Sequence, residues 1–494
     1  MKFPPLPQHH PVRSEQINKL TDSIFDVVII GGGINGTCLY HHLKQKGYRT
    51  AIIDKNDFAS GTTQNSGMMI WGGLLYLQNF DLRAVYQFSK ARDQLIKQFP
   101  EQIIPRKFHF IRSKSSSRNK FLDYLGLNLY WMFSQFERQR PQIATLENNQ
   151  EMISFEEGQL LQSDAHFALT WLNLLPQNEN LCMNYFEIRC GKYNSHDKLW
   201  YLEGLDKLYN NEHRIRAKWI INASGIWVDQ VNDQFDISTP YKHIFSKGVY
   251  LNLKNDCNDD KAYIYEMGQH QDVLTYVPWG PVALWGPTET MSDSIENDFI
   301  ANQQDISFLL EKGRELPNKL ITQDKIVSTR CGIRPLVIKK NENVDNVYSL
   351  KISRMHRIYV DSTLPWISIY GGKLSGCTIV SQQTVKTLIK SLKPSLNPFA
   401  NPFTNTFEQT QEVKIPEFKF SIPDVKWCME NQFCFTLDDY LRRRTNISQW
   451  IENNGFGLDN QFIDFMKRTC LKLCLDNATL SQQHFEFYQA SFNK

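Results

Sequence analysis

The chain has 494 residues, 41% hydrophobic and 13% aromatic, enough for a large core and roughly two to four folding units. A net charge of +3 argues against nucleic acid as a partner, and the composition excludes a disordered chain. Ten cysteines occur without Cys-x-x-Cys spacing, so packed, reduced thiols are expected and no metal site.

The opening MKFPPLPQHHPVRSEQ lacks a signal-type apolar core. No apolar run approaches the ~18 residues a spanning helix needs. A cytoplasmic protein is expected, peripheral on the inner face of a membrane at most. FDVVII (25–30) is β-branched and apolar, as a parallel strand buried on both faces should be. It runs into GGGING, a helix is expected up to Gly47, and TAIID (50–54) reads as the next strand. Gly31, Gly33 and Gly36 satisfy G-x-G-x-x-G between strand and helix, which lets backbone N–H groups approach a pyrophosphate. Asp54 follows 18 residues later, where a carboxylate accepts hydrogen bonds from an adenosine ribose. Together these predict dinucleotide binding.

MMIWGGLLYLQ (68–78) carries no charge and reads either as a buried strand or as the floor of a site. A helix is expected over about 85–98. Six basic residues and no acid lie between Arg106 and Lys120, and an apolar, aromatic stretch, FLDYLGLNLYWMFSQF, follows at 121–136. That combination suits an element resting on an anionic lipid surface. Strands are expected at 218–225, 249–253, 272–286 and 366–372, then a helix near 374–393, a proline-marked linker at 391–403, and helices beyond about 420. The second glycine-ended strand, INASG (221–225), comes nearly 200 residues after the first. An interrupted FAD domain has that layout.

DVVIIGGGINGTCLYHHLKQKG followed by IDKNDFASGTTQNS resembles the FAD-dependent glycerol-3-phosphate dehydrogenases, within the D-amino-acid-oxidase-like flavoproteins. The likeness continues through INASGIWVDQV, SKG (246–248), VPWGPVALWGPTET, CGIRPLV, SRMHRIYV, GGKLSG and FTLDDYLRRRT (435–445). It implies an α/β fold: a Rossmann-like FAD-binding domain interrupted by an α+β substrate domain, plus an all-α C-terminal domain. The expected boundaries are 1–100 for the FAD domain, continuing at about 160–240 and 340–395. The substrate domain takes 101–159 and 241–339, and the helical domain 404–494 follows the 391–403 linker. The resemblance also implies oxidation of the C2 alcohol of glycerol 3-phosphate to dihydroxyacetone phosphate, with hydride to flavin N5 and electrons to quinone or another acceptor.

Three positions depart from the family. Its H-G-G-L-R-Y-L is Trp71-Gly72-Gly73-Leu74-Leu75-Tyr76-Leu77 here, and the histidine of S-K-G-S-H is Tyr250. Two imidazoles and a guanidinium are therefore replaced. Arg334, Arg354 and Lys373 persist and are expected to hold an anionic substrate, with Trp71 against it. The resemblance carries Gly31, Gly33, Gly36, Asp54, Thr62, Thr63, Ser66, Gly72, Gly73, Ala223, Gly225, Gly371, Gly372 and Lys373 to the cofactor. Arg334, Lys373, Tyr76 and Tyr250 are the catalytic candidates, and His243 and His356 are further candidates for the base. The run LRRRT (441–445) is read either as a solvated face or as the seam between the helical and FAD domains. Two rival readings stand beside the dehydrogenase. One is an amine or amino-acid oxidase of the same fold. The other is a flavin-binding protein that has lost catalysis and acts through a partner. A homodimer is compatible with all three.

Overall fold

The computed structural model describes residues 4–79, 81–113, 116, 120–146, 150–176, 180–255, 260–267, 272–292, 295, 299–316, 321–342, 355–399, 412–413, 415, 418–458 and 460–492. The segment Ile24–Ile30 forms the central strand predicted for it. It pairs in parallel with Thr50–Ile53 on one side and with Asn211–Asn222 on the other. Trp366–Tyr370 adds in parallel beyond Asn211–Asn222, and Leu181–Met183 beyond Thr50–Ile53. All but the first residue of the central strand are buried, which explains its unbroken β-branched run. Helices Ile34–Gln45 and Cys377–Leu388 pack against each other, and Asp164–Asn173 packs on the first of them.

A second, ten-stranded sheet is built mainly from the middle of the chain. Its longest ladder joins Tyr241–Lys254 to Ile326–Lys339 in antiparallel register, placing Tyr250 opposite Arg330, Gly248 opposite Gly332, and Ser246 opposite Arg334. Side chains alternate along each strand, so these six residues share one face. The predicted 272–286 strand is a hairpin, Asp272–Trp279 and Val282–Gly286. The helix expected near 85–98 runs Leu82–Gln98, capped by the Asp81 carboxylate accepting from Ala84 N. The apolar stretch at 121–136 is helical over Lys120–Phe133.

Past the linker region the chain is mostly helical, with a two-residue ladder, Glu412–Val413 against Ile422–Pro423, added to the expected helices. The run LRRRT is a buried seam. Arg443 and Arg444 both ion-pair with Asp57, in the segment that follows the second parallel strand, and Asn184 Nδ2 donates to the same carboxylate. Burial alone would raise the Asp57 pKa, but the two guanidiniums outweigh burial and hold it below the usual value. The nine described cysteines are free thiols, and all but Cys190 are buried.

Candidate functional site

Three parallel strands end side by side. Ile30 is in register with Asn222, and Asn222 with Ser368. Each is followed within three residues by glycine, so three turns 140 or more residues apart in sequence meet at one edge of the sheet, where α/β proteins bind nucleotides. At Gly31, with φ +109°, a side chain would strike the backbone of Ala223 and Ser224. A Cβ on Gly36 would lie 2.0 Å from Gly31 O, so the helix can start this close to the strand only with glycine there. Ala223 N–H donates to Ile30 O at 2.8 Å, and Asn35 Nδ2 donates to Gly371 O at 3.1 Å. The Gly371–Gly372 turn thus sits on the first turn of helix Ile34–Gln45, whose N-terminal dipole favours an anion.

Asp54 stands at the end of its strand, half-buried. It accepts from Gly32 N at 2.7 Å and from Asn56 N at 2.9 Å. Burial raises its pKa to about 6, against the pull of those two N–H groups. A carboxylate has about four acceptor sites, so two remain for hydroxyl donors. Nearby, Lys55 Nζ lies 4.2 Å from the centre of the Trp227 ring. Gly225, with φ +64°, faces open space.

The loop from Ala59 to Ser66 joins the two sheets. Thr63 Oγ1 accepts from Ile34 N at 3.0 Å, at the mouth of the phosphate-type helix. Thr62 Oγ1 donates to Ile333 O at 2.8 Å, and Ser66 N–H donates to Asp164 at 2.7 Å. Thr62 therefore ties the loop to the second sheet, and Ser66 ties it to helix Asp164–Asn173.

The stretch that begins at Met68 opens as the buried strand expected of it. Met69–Ile70 is a short buried strand paired with Gly158 and Gln159. Gly72 then turns over a buried network, its N–H donating to Glu157 at 3.0 Å and its carbonyl accepting from Ser89 Oγ at 3.0 Å. Arg92 Nη1 bonds Glu157 and Tyr130 beneath it. A Cβ at Gly72 would lie 2.2 Å from Tyr130 Oη, so its glycine answers to this packing. Gly73 has φ +89°. Trp71 is half-buried, 5.8 Å from Phe108 between ring centres. Tyr76 is buried and stacks on Phe88 at 5.3 Å. Lys373 Nζ sits over the Tyr76 ring at 4.2 Å and near Phe88 at 5.5 Å, so the 68–78 stretch and the GGK turn meet through a cation–π contact.

On the second sheet Arg334 reaches across its own ladder. A Cβ at Gly248 would lie 2.2 Å from Arg334 Nη2, so the guanidinium lies over that glycine. Its contacts with Glu289 Oε2 and Ser246 Oγ are both long, 3.5 Å, and its side chain keeps 26% exposure. Tyr250 is on the same face, its hydroxyl against Gly67. His243 is committed elsewhere: Nε2 accepts from Gly371 N at 3.1 Å, and burial lowers its pKa to about 4. That lone pair is spent on the glycine turn and is not open to a substrate hydroxyl. His356 bonds Gln383 at 2.7 Å, and burial lowers its pKa also. Arg354 lies outside the described residues.

Sequence reasoning missed Arg330, Glu289 and Glu157. Glu289 lies inside VPWGPVALWGPTET and Arg330 directly precedes CGIRPLV, but only strand pairing brings them to the site. Glu157 gave no local signal.

A family model described as FAD dependent oxidoreductase (DAO) matches residues 26–361. Aerobic glycerol-3-phosphate dehydrogenase of Staphylococcus saprophyticus is 26% identical over 394 residues, covering 76% of this chain and 69% of that protein. The Staphylococcus aureus protein of the same name is 26% identical over 387 residues, covering 76% and 68%. Among solved structures, a glycerol-3-phosphate dehydrogenase from Bacillus halodurans complexed with FAD superposes with TM-score 0.71 at 17% identity, covering 97% of this chain and 96% of that one. An L-alpha-glycerophosphate oxidase from Mycoplasma pneumoniae with FAD bound gives 0.60 at 14% identity, covering 77% and 98%. The convergent glycine turns and the ribose-type carboxylate suit FAD, whose ADP half Gly31, Gly33, Gly36 and Asp54 would hold. With its interrupted Rossmann-like domain, second sheet and C-terminal helices, the chain belongs to the DAO family of FAD-dependent oxidoreductases.

Proposed function

We propose that this protein oxidises a small anionic alcohol, with glycerol 3-phosphate as the substrate and dihydroxyacetone phosphate as the product. The observation that carries the reading is Arg334: a guanidinium held over Gly248 whose contacts to Glu289 and Ser246, among the described residues, are long at 3.5 Å. Such a group is placed to exchange weak partners for a phosphate. The names of the staphylococcal relatives support the substrate. When bound, FAD would supply the hydride acceptor, with quinone or a similar compound as the final electron acceptor.

In this reading Arg334 binds and orients the substrate anion, with Arg354 as a second cation. Lys373, fixed on the Tyr76 ring, contributes positive potential beside the Gly371–Gly372 turn. Trp71 closes the apolar wall that the family's histidine leaves polar, and either Tyr76 or Tyr250 takes the hydroxyl proton. Thr62, Thr63, Ser66, Gly72, Gly73, Ala223 and Gly225 shape the cofactor channel. Adding glycerol 3-phosphate without oxygen to the purified yellow protein tests this. Bleaching of the flavin band supports the reading, and a band that stays oxidised sinks it.

Glu289 favours a second reading. Its carboxylate beside Arg334 could pair the ammonium of an amino acid whose carboxylate takes the guanidinium. Hydrogen peroxide formed on amino-acid turnover, with no response to glycerol 3-phosphate, would establish that oxidase instead.

For location, the support comes from helix Lys120–Phe133 and the turn after it. Phe121, Leu125 and Met132 are 70, 53 and 54% exposed at spacings of four and seven, one stripe of the helix, and Phe136, 59% exposed, follows in the turn. Arg106, Lys107 and Arg140 lie near it in sequence, which suits a surface of anionic lipid. No helix among the described residues is long and apolar enough to cross a membrane.

A further inference from the structure

Arg330 is one of the most buried arginines in the chain, at 1% exposure. Nη2 donates to Gln64 O and to Asp164 Oδ2, both at 2.7 Å, while Nε and Nη1 are buried and have no hydrogen-bond partner among the described residues. Its cross-strand neighbour is Tyr250. Directly opposed residues on one face of an antiparallel pair have Cβ atoms about 5 Å apart. Both side chains turn toward the same loop: Arg330 reaches Gln64, and the Tyr250 hydroxyl lies where a Cβ on Gly67 would be, 2.3 Å from it. Two register steps along, Gly248 and Gly332 leave a saddle in the face, and Arg334 spans it.

The charges around this face do not balance. Arg330 and Arg334 come from one strand and Arg442 from the C-terminal helices. Asp164 comes from the helix below, and Glu289 from the segment after the hairpin. Asp164 must also accept from Ser66 N and Ala165 N. Arg442, bonded to Gln64 O and Asn65 Oδ1, has its pKa pulled down to about 9 by burial and by Arg330 beside it. Arg330, Arg334 and Arg442 thus share Asp164 and Glu289 here, with Asp438 raising and Arg443 lowering the Arg442 pKa as well. Burial likewise lowers the Arg330 pKa, opposed by Asp164 and by the Tyr250 oxygen.

We propose that Arg330 is the positioning residue that makes Tyr250 the proton acceptor, its buried guanidinium, held by Asp164 and over the Trp279 ring, stabilising the Tyr250 phenolate. This rests on the alcohol-oxidation reading above and deepens it. The substrate O–H bond breaks and its proton passes to Tyr250 Oη. The released electron pair closes the carbonyl as the C–H pair leaves to FAD, the oxidant. The proton then returns to solvent, and Arg330 touches no reacting atom. A guanidinium within about 4–6 Å of an acid lowers its pKa by about 1–3 units, enough to bring a phenol from about 10 into the working range of a base.

The test reads the phenolate directly. Tyrosinate absorbance is titrated in the holoenzyme and in Tyr250→Phe, and the difference isolates one phenol. The expected difference titrates at least about one pH unit below 10. It should stay there in Arg330→Lys and move upward in Arg330→Met, with the flavin spectrum reporting an intact fold in each. Under single turnover with glycerol 3-phosphate, the alkaline shift of the rate–pH profile in Arg330→Met should match, and Tyr250→Phe should lose about a hundredfold or more. A difference titrating at or above about 10 overturns the proposal even where Arg330→Met fails to fold, because that comparison needs only Tyr250→Phe. A low-titrating Tyr250 with no flavin bleaching would instead retire glycerol 3-phosphate as substrate while leaving the Arg330–Tyr250 relation standing.

Discussion

Asp54 joins a chemical role to a measurable proton. Its folded value of about 6 lies above the ~3.9 of free aspartate, so between those values the FAD-free fold holds more protons than the unfolded chain. Stability of the FAD-free protein therefore falls as pH rises through that window. Ribose hydroxyls donate better to the ionised form, so FAD binding should release a proton and tighten as pH rises from about 5 to about 7. Titrating FAD by flavin fluorescence at several pH values checks this, and Asp54→Asn should flatten the dependence. Arg334 makes the matching prediction for substrate under the proposed reading. Arg334→Met should raise KM about tenfold to a hundredfold, the worth of one charge-assisted hydrogen bond, while FAD affinity stays unchanged. A fall in FAD affinity of similar size would place the guanidinium at the cofactor instead.

At the scale of elements, the seam between the second parallel strand and the C-terminal helices depends on one carboxylate. Asp57 serves both Arg443 and Arg444, which are buried. Asp57→Ala leaves Arg444 without its main counter-charge, while Arg443 keeps Asp438 and Asp439, and should cost about 3–5 kcal/mol. Urea unfolding would measure the loss, and a change under about 1 kcal/mol would mean that Asp438 and Asp439 carry the pairing. The depressed Asp57 pKa gives the sign with pH. Its stabilisation is full above the unfolded value near 4 and is lost only as pH falls through the lower folded value. The glycine turns show the same dependence on neighbours. Gly31 is forced by the backbone of Ala223 and Ser224, and Gly372 by the Asn35 side chain, contacts between elements far apart in sequence.

Across the whole molecule one core runs through all three expected domains. Ile34, Cys38 and Ala59 of the FAD-binding part share it with Phe108, Trp279 and Val282 of the second sheet and with Tyr440, Leu441 and Trp450 of the helical region. Calorimetry of the holoenzyme should show a single unfolding transition; two resolved transitions would mean that the helical region is an independent unit. The exposed stripe on helix Lys120–Phe133 makes a separate prediction. The protein should sediment with vesicles containing anionic lipid, and Phe121→Ser with Leu125→Ser should abolish this without altering the flavin spectrum. Equal sedimentation of that double variant would remove the stripe from any membrane role.

The nucleotide half of the site was legible because its signals are local. A buried β-branched strand, a glycine turn, a helix start and an acid 18 residues on each follow from backbone geometry within one βαβ unit. The family resemblance proposed Arg334 and Lys373 through motifs of similar kind. The rest depended on contacts that no local pattern encodes. Asp57 meets Arg443 and Arg444 across 386 and 387 residues, Arg330 meets Asp164 across 166, and Glu289 reaches Arg334 from the far side of a hairpin. Histidine His243 showed the converse: attractive in sequence as a base, it is committed in space to Gly371. Short-range backbone constraints thus wrote the cofactor class into the sequence. Charge balance around the substrate face was decided by the tertiary structure alone, because it is a sum over side chains that only folding brings together.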